Sequence, residues 1–228
     1  MHVTDENSIM VFQQHRYLIF LLLFTMHNLY ANNDTVQIKN SKIFINNQTG
    51  WFSLGIRTTM NVFSDDGFGM GTGGQFRVQL SNRVNTDWFA DYISVNLDNI
   101  ARSEYLHIGW SVLFYPVKKW QYPKYKVQPF LLAGHCFDYN KKTILSDQSI
   151  SKHRWGAAIQ MGAGSHFHLS ERFDLTLMLQ YMLHLTKELV VEKNETTYDI
   201  VAKKGSALEG HLLCTVSLNY KIARLWKK

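Results

Sequence analysis

Apolar and polar side chains alternate along much of this chain, in segments close to the roughly ten residues that a tilted strand needs to cross a bilayer. The clearest segment covers residues 173–184. One parity of that segment is apolar and the other mostly polar: Leu175, Leu177, Leu179, Tyr181 and Leu183 against Asp174, Thr176, Gln180 and His184. Alternation with period two predicts β-strands. The pattern therefore predicts strands long enough to span a membrane.

Similar segments predict eight strands in total: residues 50–61, 75–83, 88–97, 104–115, 127–139, 155–169, 173–184 and 209–220. The connections between them are mostly long and short in turn, as in outer-membrane barrels with longer outer loops and short periplasmic turns. The predicted outer loops are a glycine-rich loop at 64–74 and loops at 98–103, 140–152 and 186–208. Closing the sheet leaves no strand edge exposed to lipid. We therefore predict an all-β fold: a single eight-stranded antiparallel up-and-down transmembrane β-barrel.

The N-terminal region has the composition of a secretory signal. His15 and Arg16 precede an apolar run at 17–24, and a small residue, Ala31, precedes a polar segment. We predict a cleaved signal peptide at 1–31, with Met10 as an alternative start, and a buried helix is the alternative interpretation of the apolar run. The remaining regions are then a periplasmic segment at 32–49, the barrel at 50–222 and a basic tail at 223–228.

A soluble barrel of the lipocalin type is the main structural alternative, because its alternation is the same with inside and outside exchanged. Aromatic residues near the predicted strand ends favour the membrane barrel, since such residues form belts at membrane interfaces. They are Trp51, Trp88, Tyr105, Tyr115, Trp155, Tyr181 and Tyr220.

Composition narrows the class of protein further. The chain has 228 residues, 46% hydrophobic residues and a mean hydropathy of −0.18, which exclude a bundle of membrane-spanning helices. The net charge of +6 comes from Lys and Arg residues scattered over turns, loops and the C-terminal tail. We therefore expect no nucleic-acid partner, and attraction to anionic lipid headgroups explains the charge more simply. Cys136 and Cys214 fall on strands that are not neighbours, so we expect no disulfide.

Three segments carry a resemblance to a known family: the glycine-rich first hairpin leading into residues 74–77, the segment 88–92, and the turn at 169–175. From residue 50 to about 222 the chain resembles small outer-membrane β-barrel proteins, similar to the OmpA transmembrane domain in the form found in Bacteroidetes. The resemblance implies a location in the bacterial outer membrane. It also implies an interior network of salt bridges that blocks or gates a narrow pore.

Inward parity selects the residues for that network. It assigns Arg57, Arg77, Asp174, His184 and His211 to the barrel interior. Charges in a dry lumen are costly unless they are paired, and side chains fill a barrel of eight strands. Two further acids are candidates, although the parity of the strand at 88–97 is ambiguous: Asp91 and Glu209.

Histidines raise the alternative of a metal or haem site. His107, His184 and His211 share inward parity near the outer ends of their strands, and His153 lies in an adjoining loop. Imidazole is a common metal ligand. The strand at 104–115 is far around the wall from the other two, so such a site would need help from a loop. We expect no metal and no cofactor.

The segment His168-Leu169-Ser170 raises an enzymatic alternative, because it is similar to the His-x-Ser pair of lipid A deacylase barrels. Those enzymes need the pair on the lipid-facing surface with an acidic partner, whereas Ser170 begins a predicted periplasmic turn. We therefore expect no enzymatic activity.

The predicted function is a structural, adhesive or envelope-complex accessory role for a monomer. The alternatives are a lipid A-modifying enzyme and a soluble ligand carrier. The expected partners are outer-membrane lipids, lipopolysaccharide and envelope proteins that bind the outer loops.

Overall fold

The structure, a computed structural model, describes residues 49–62, 68–117, 126–194, 197–203 and 210–226. The predicted signal peptide and the periplasmic segment up to residue 48 lie outside these residues. The described residues form ten strands: β1 (Trp51–Val62), β2 (Gly69–Gln79), β3 (Val84–Leu97), β4 (Ala101–Phe114), β5 (Val127–Ile144), β6 (Ser151–His168), β7 (Phe173–His184), β8 (Glu188–Asn194), β9 (Thr197–Lys203) and β10 (Gly210–Arg224). The described part of the chain contains no helix of the length and hydrophobicity needed to span a membrane.

Eight of the strands form a closed antiparallel barrel in the order β1-β10-β7-β6-β5-β4-β3-β2. The barrel is closed by β1 and β10, which pair from Trp51 opposite Arg224 to Val62 opposite Leu212, with one irregularity between Phe52 and Ser53. The predicted fold class, a single eight-stranded up-and-down barrel, is confirmed. The strand β10 continues to Arg224, two residues beyond the end predicted for the barrel.

Side-chain orientation distinguishes a membrane barrel from a lipocalin-like one. Inward positions are buried and many are polar or charged, whereas outward positions are apolar and exposed, including Ile56 (71% exposed), Phe137 (60%) and Leu131 (55%). This is the reverse of a soluble carrier, whose interior is apolar. The assignment of two aromatic residues to the membrane interface is wrong, because Tyr105 and Tyr115 point inward and are 2% and 1% exposed.

The prediction of a glycine-rich loop at 64–74 is wrong from Gly69 onward, because β2 begins there and pairs with both β1 and β3. Gly73 points into the lumen, where a Cβ atom would collide with the carbonyl oxygen of Ala90 and with the carboxylate of Asp91. A small residue is thus required where the backbones approach closely. Glycine in this segment supports a crowded strand rather than a loop.

Many residues of the predicted loops belong to strands or tight turns in the structure. Both β5 and β6 are 18 residues long, so most of the loop predicted at 140–152 is strand. The loop predicted at 98–103 contracts to a tight turn in which Asp98 and Asn99 have positive φ angles of 48° and 59°. Asn and Asp tolerate this left-handed conformation, which matches the twist of a hairpin.

The long connection at 186–208 contains a hairpin, β8–β9, that the sequence pattern did not predict. Its Leu189 and Ile200 form a buried apolar cluster with Ala101 and Ile144, which belong to β4 and β5 at the long-loop end of the barrel. Lys142 of β5 donates a hydrogen bond from Nζ to the carbonyl oxygen of Leu189 at 2.5 Å. The hairpin is therefore held against the outer end of the barrel wall.

A closed barrel predicts resistance to detergent, because every spanning strand has two paired neighbours. We expect the protein to migrate faster on an SDS gel before boiling than after it. Thr58 lies in the middle of β1 and pairs with Val216 and Thr72. Thr58→Pro should abolish the faster band, because proline cannot donate to the ladder, whereas the matched Thr58→Val should keep it. Identical mobility of the wild-type protein with and without boiling would contradict closure.

Candidate functional site

The barrel interior holds a group of five charged residues, which we call the arginine cluster: Arg57, Arg77, Asp87, Asp91 and Asp174. Nε of Arg57 lies 2.9 Å from Oδ1 of Asp91, and Nη1 of Arg57 lies 3.9 Å from Oδ2 of Asp87. Nε of Arg77 lies 3.4 Å from Oδ1 of Asp87, and its Nη1 lies 3.1 Å from Oδ1 of Asp174. Asp87 therefore bridges the two arginines. All five residues are between 1% and 4% exposed.

Uncharged neighbours complete the surroundings of the arginine cluster. Nη2 of Arg77 donates to Oγ1 of Thr176 at 3.1 Å, and the side-chain amide of Asn219 donates to Asp174 at 3.2 Å. The guanidinium of Arg57 lies over the ring of Phe89, 4.5 Å from its centroid. Buried charges need such additional contacts, because an ion pair alone rarely compensates for the loss of water.

A second group, the Asp138 cluster, lies nearer the long-loop end: Asp138, His107, His184 and Arg154. The buried carboxylate of Asp138 lies 3.3 Å from Nε2 of His107, 2.8 Å from Nδ1 of His184 and 3.2 Å from Nη2 of Arg154. These four residues come from four consecutive strands of the wall, β4 to β7. The carboxylate of Asp138 thereby links four of the eight barrel strands.

The residues predicted from the sequence fall into two groups rather than one network. Arg57, Arg77 and Asp174 belong to the arginine cluster. His184 belongs to the Asp138 cluster, and the ring of His211 lies 4.6 Å from the ring of His184. Asp91, the ambiguous acid, points inward, whereas Glu209 lies outside the described residues.

Apolar side chains connect the two groups. The ring of Tyr105 lies 5.9 Å from that of His107 and 5.7 Å from that of His211. Tyr105 also belongs to the buried apolar cluster that contains Phe89, against which Arg57 packs. Buried apolar and aromatic side chains thus contact both the arginine cluster and the Asp138 cluster.

Sequence reasoning missed three charged residues of these clusters: Asp87, Asp138 and Arg154. Asp87 and Arg154 lie just outside the predicted strands, so the alternation assigns no parity to them. Asp87 precedes Asp91 by four residues on β3, which places both on one face of a strand. That spacing was the signal that could have identified Asp87.

The structure brings the three inward histidines close together: the ring of His184 lies 6.4 Å from that of His107 and 4.6 Å from that of His211. Within the described ranges, no group of three or more His, Cys, Asp or Glu side chains is arranged to hold a metal ion. The imidazoles of His107 and His184 instead face one carboxylate. His153 lies on the exposed surface beside Tyr139, at 5.9 Å between ring centroids, and does not join them.

The candidate catalytic pair is also separated. His168 points into the lumen, where its Nε2 lies 3.1 Å from Oε1 of Gln128. The hydroxyl of Ser170 accepts hydrogen bonds from the backbone amides of Arg172 and Phe173 at 3.3 and 3.0 Å. Ser170 thus stabilises the turn between β6 and β7, and the two side chains do not form a pair on the lipid-facing surface.

Comparisons with known proteins identify the class of fold. No protein-family model and no curated protein matches the chain. Neisserial surface protein A superposes with a TM-score of 0.53 and 11% identity over 76% of this chain and 98% of that one. A major outer membrane protein from Thermus thermophilus superposes with a TM-score of 0.52 and 10% identity over 75% of this chain and 98% of that one.

At identities this low, the superpositions establish only the fold. The chain has the fold of the small outer-membrane β-barrels. The predicted location, the bacterial outer membrane, is supported by these matches and by the apolar outer surface. Membership in the OmpA-like family of Bacteroidetes stays a prediction.

The arginine cluster predicts a large stability effect. Arg57→Met should lower the free energy of unfolding by about 3–5 kcal/mol, because it leaves Asp91 and Asp87 buried without their partner. Adding Asp91→Asn should restore part of this loss. The measurement is reversible urea unfolding of the barrel in lipid vesicles.

The control is Lys203→Met, which breaks an exposed pair with Glu192. Exposed pairs contribute less than about 1 kcal/mol, so this variant should resemble the wild type. If Arg57→Met were as stable as Lys203→Met, the ion pairs of the arginine cluster would not stabilise the barrel.

Proposed function

We propose that the protein is a non-enzymatic, non-conducting barrel of the outer membrane, with a structural and adhesive role carried by its outer end. The observation that carries the first part is the arginine cluster, whose five charged side chains cross the lumen and are almost fully buried. A cavity near the short-turn end, lined by Arg77, His166 and Lys221 among others, measures about 20 Å³. That volume has room for about one water molecule, which supports a lumen without a continuous aqueous path.

The adhesive part is supported by the outer end of the barrel. Beyond the turns, β6 and the hairpin β8–β9 enclose a surface pocket of about 440 Å³ lined by Lys152, His153, Trp155 and Lys187 among others. Trp155 is 64% exposed and lies 4.8 Å from the ring of Tyr139. The positive side chains of this pocket support an anionic binding partner, and one of them, Lys152, already lies 3.5 Å from the carboxylate of Asp199.

The remaining partners follow from the same arrangement. The apolar outer wall contacts membrane lipids, and the basic outer end faces the phosphates of lipopolysaccharide. Envelope proteins are further candidates for the hairpin β8–β9. Because all eight barrel strands pair within the chain, we propose that the protein functions as a monomer.

Conductance tests the proposal for the lumen. In planar bilayers the wild-type protein should give no steady openings, because the buried guanidiniums and carboxylates block the path. The double variant Arg57→Ala/Arg77→Ala should give frequent openings, since it removes two large side chains and unbalances three acids. Steady ion flow through the wild-type barrel, or a double variant as silent as the wild type, would contradict a lumen blocked by the arginine cluster.

Adhesion tests the proposal for the outer end. Cells that display the protein should bind surfaces coated with dextran sulfate several-fold better than surfaces coated with neutral dextran. Trp155→Ala should reduce this binding at least threefold. The same change at the opposite end, Trp226→Ala, is the matched control and should have no effect. Equal binding to both coatings would count against an anionic partner.

A further inference from the structure

The outer wall of the barrel carries an apolar groove of about 760 Å³. It crosses β7, β10, β1, β2, β3 and β4 and opens sideways, away from the lumen. Among the apolar side chains that line it are Leu54, Ile56, Phe76, Trp88, Ile108 and Tyr220. Such a groove lies where membrane lipid replaces water as the solvent.

The groove exists because one row of outward positions lacks bulk. The register places Ile56, Gly74, Ala90 and Ile108 side by side across β1 to β4. The two central strands therefore contribute only a hydrogen atom and a methyl group, between two large aliphatic side chains. The result is a depression two strands wide.

The fold does not require a glycine at position 74. A Cβ atom built on Gly74 would have a single neighbour within 4 Å, the carbonyl oxygen of Gly55 at 3.9 Å. The adjacent Gly73 differs, because its Cβ atom would collide with β3 inside the lumen. A glycine in a strand costs stability and commonly marks close approach of a ligand or another backbone. For Gly74 no atom of the described residues makes that approach.

Flat aromatic rings form the next row of the wall, one step toward the short-turn end. The rings of Phe76 and Trp88 are stacked at 5.8 Å with an angle of 4°, and Trp110 follows Trp88 at 6.0 Å. These rings give the groove a smooth apolar border along which a hydrocarbon chain can lie.

A cation stands at the short-turn end of the groove. Nη1 of Arg172 donates to the hydroxyl of Tyr220 at 3.1 Å. Tyr220 and Phe173 both line the groove, and their rings lie 4.7 Å apart. The neighbouring acid in the turn is Glu171. Guanidinium groups bind phosphate with two parallel hydrogen bonds, so Arg172 is suited to a lipid headgroup.

We propose that this groove binds one phospholipid, with an acyl chain over Gly74 and the phosphate at Arg172. The short turns of outer-membrane barrels face the periplasm, which assigns the lipid to the periplasmic leaflet. A lipid fits better than a protein partner because the groove is apolar along its length and ends at a single cation.

Native mass spectrometry of the full barrel tests the proposal. The protein is purified in a mild detergent, delipidated and incubated with palmitoyl-oleoyl phosphatidylglycerol. The wild-type barrel should retain one lipid. Gly74→Leu adds bulk at a position where a Cβ atom would have a single neighbour within 4 Å, and it should lower retention at least fivefold. Arg172→Gln should lower retention at least threefold. Ala163→Leu adds the same bulk to an exposed wall position on β6 and should change nothing.

Each variant must show the unboiled fast band on an SDS gel, so that a folding defect is recognised. Equal lipid retention by wild type and Gly74→Leu would overturn the proposal. Equal retention of a diacylglycerol, which lacks phosphate, would overturn the role of Arg172. Preferential retention of lipopolysaccharide would overturn the choice of leaflet, and a cross-linked second barrel at this face would overturn the choice of occupant.

Discussion

In a bilayer, a backbone amide or carbonyl without a partner costs several kcal/mol, since no water can replace the missing hydrogen bond. An eight-stranded sheet meets this condition only if its first strand pairs with its last. Here the pairing of β1 with β10 runs the full length of β1. Once the sheet is closed, each residue of a spanning strand faces either the lumen or the lipid, and strand parity decides which.

The interior of a barrel with eight strands is just wide enough for side chains to fill it. Inward charges must therefore find partners on other strands. Asp87 and Asp138 provide such partners at two levels along the barrel axis. Asp87 bridges two arginines, and Asp138 contacts three residues from nearby strands. These contacts join strands up to two places apart in the wall, so they add side-chain links to the pairing of neighbouring backbones.

The fold could be predicted from the sequence because closure enforces alternation. Strand β7 has the bounds expected from its pattern, 173–184, since its inward face is polar at most positions and its outward face is apolar. Strand β3 was ambiguous for the opposite reason. Its inward face carries Phe89, Ile93 and Val95 together with Asp91, because part of the lumen is filled by apolar packing.

The charge clusters were less predictable, because alternation says which face a residue occupies and not which residues meet. Arg57 and Arg77 share a partner through register and strand tilt, which place Asp87 between them. The hairpin β8–β9 was missed because its burial depends on Ala101 and Ile144, about 45 to 100 residues away in the chain. Its short strands have no alternation long enough to recognise on their own.

Two adjacent glycines lie on opposite faces of the barrel wall and have different reasons for lacking a side chain. Gly73 faces the lumen, and its missing side chain is explained by the backbone and carboxylate of β3. Gly74 faces the lipid, and among the described residues only the carbonyl oxygen of Gly55 lies within 4 Å of the place of its missing Cβ atom. The contacts within the protein thus explain the glycine at position 73, whereas the glycine at position 74 is explained by a molecule outside the barrel. Since the wall separates the two faces, bulk added at position 74 changes the surface offered to lipid and leaves the charge pairing of the lumen intact.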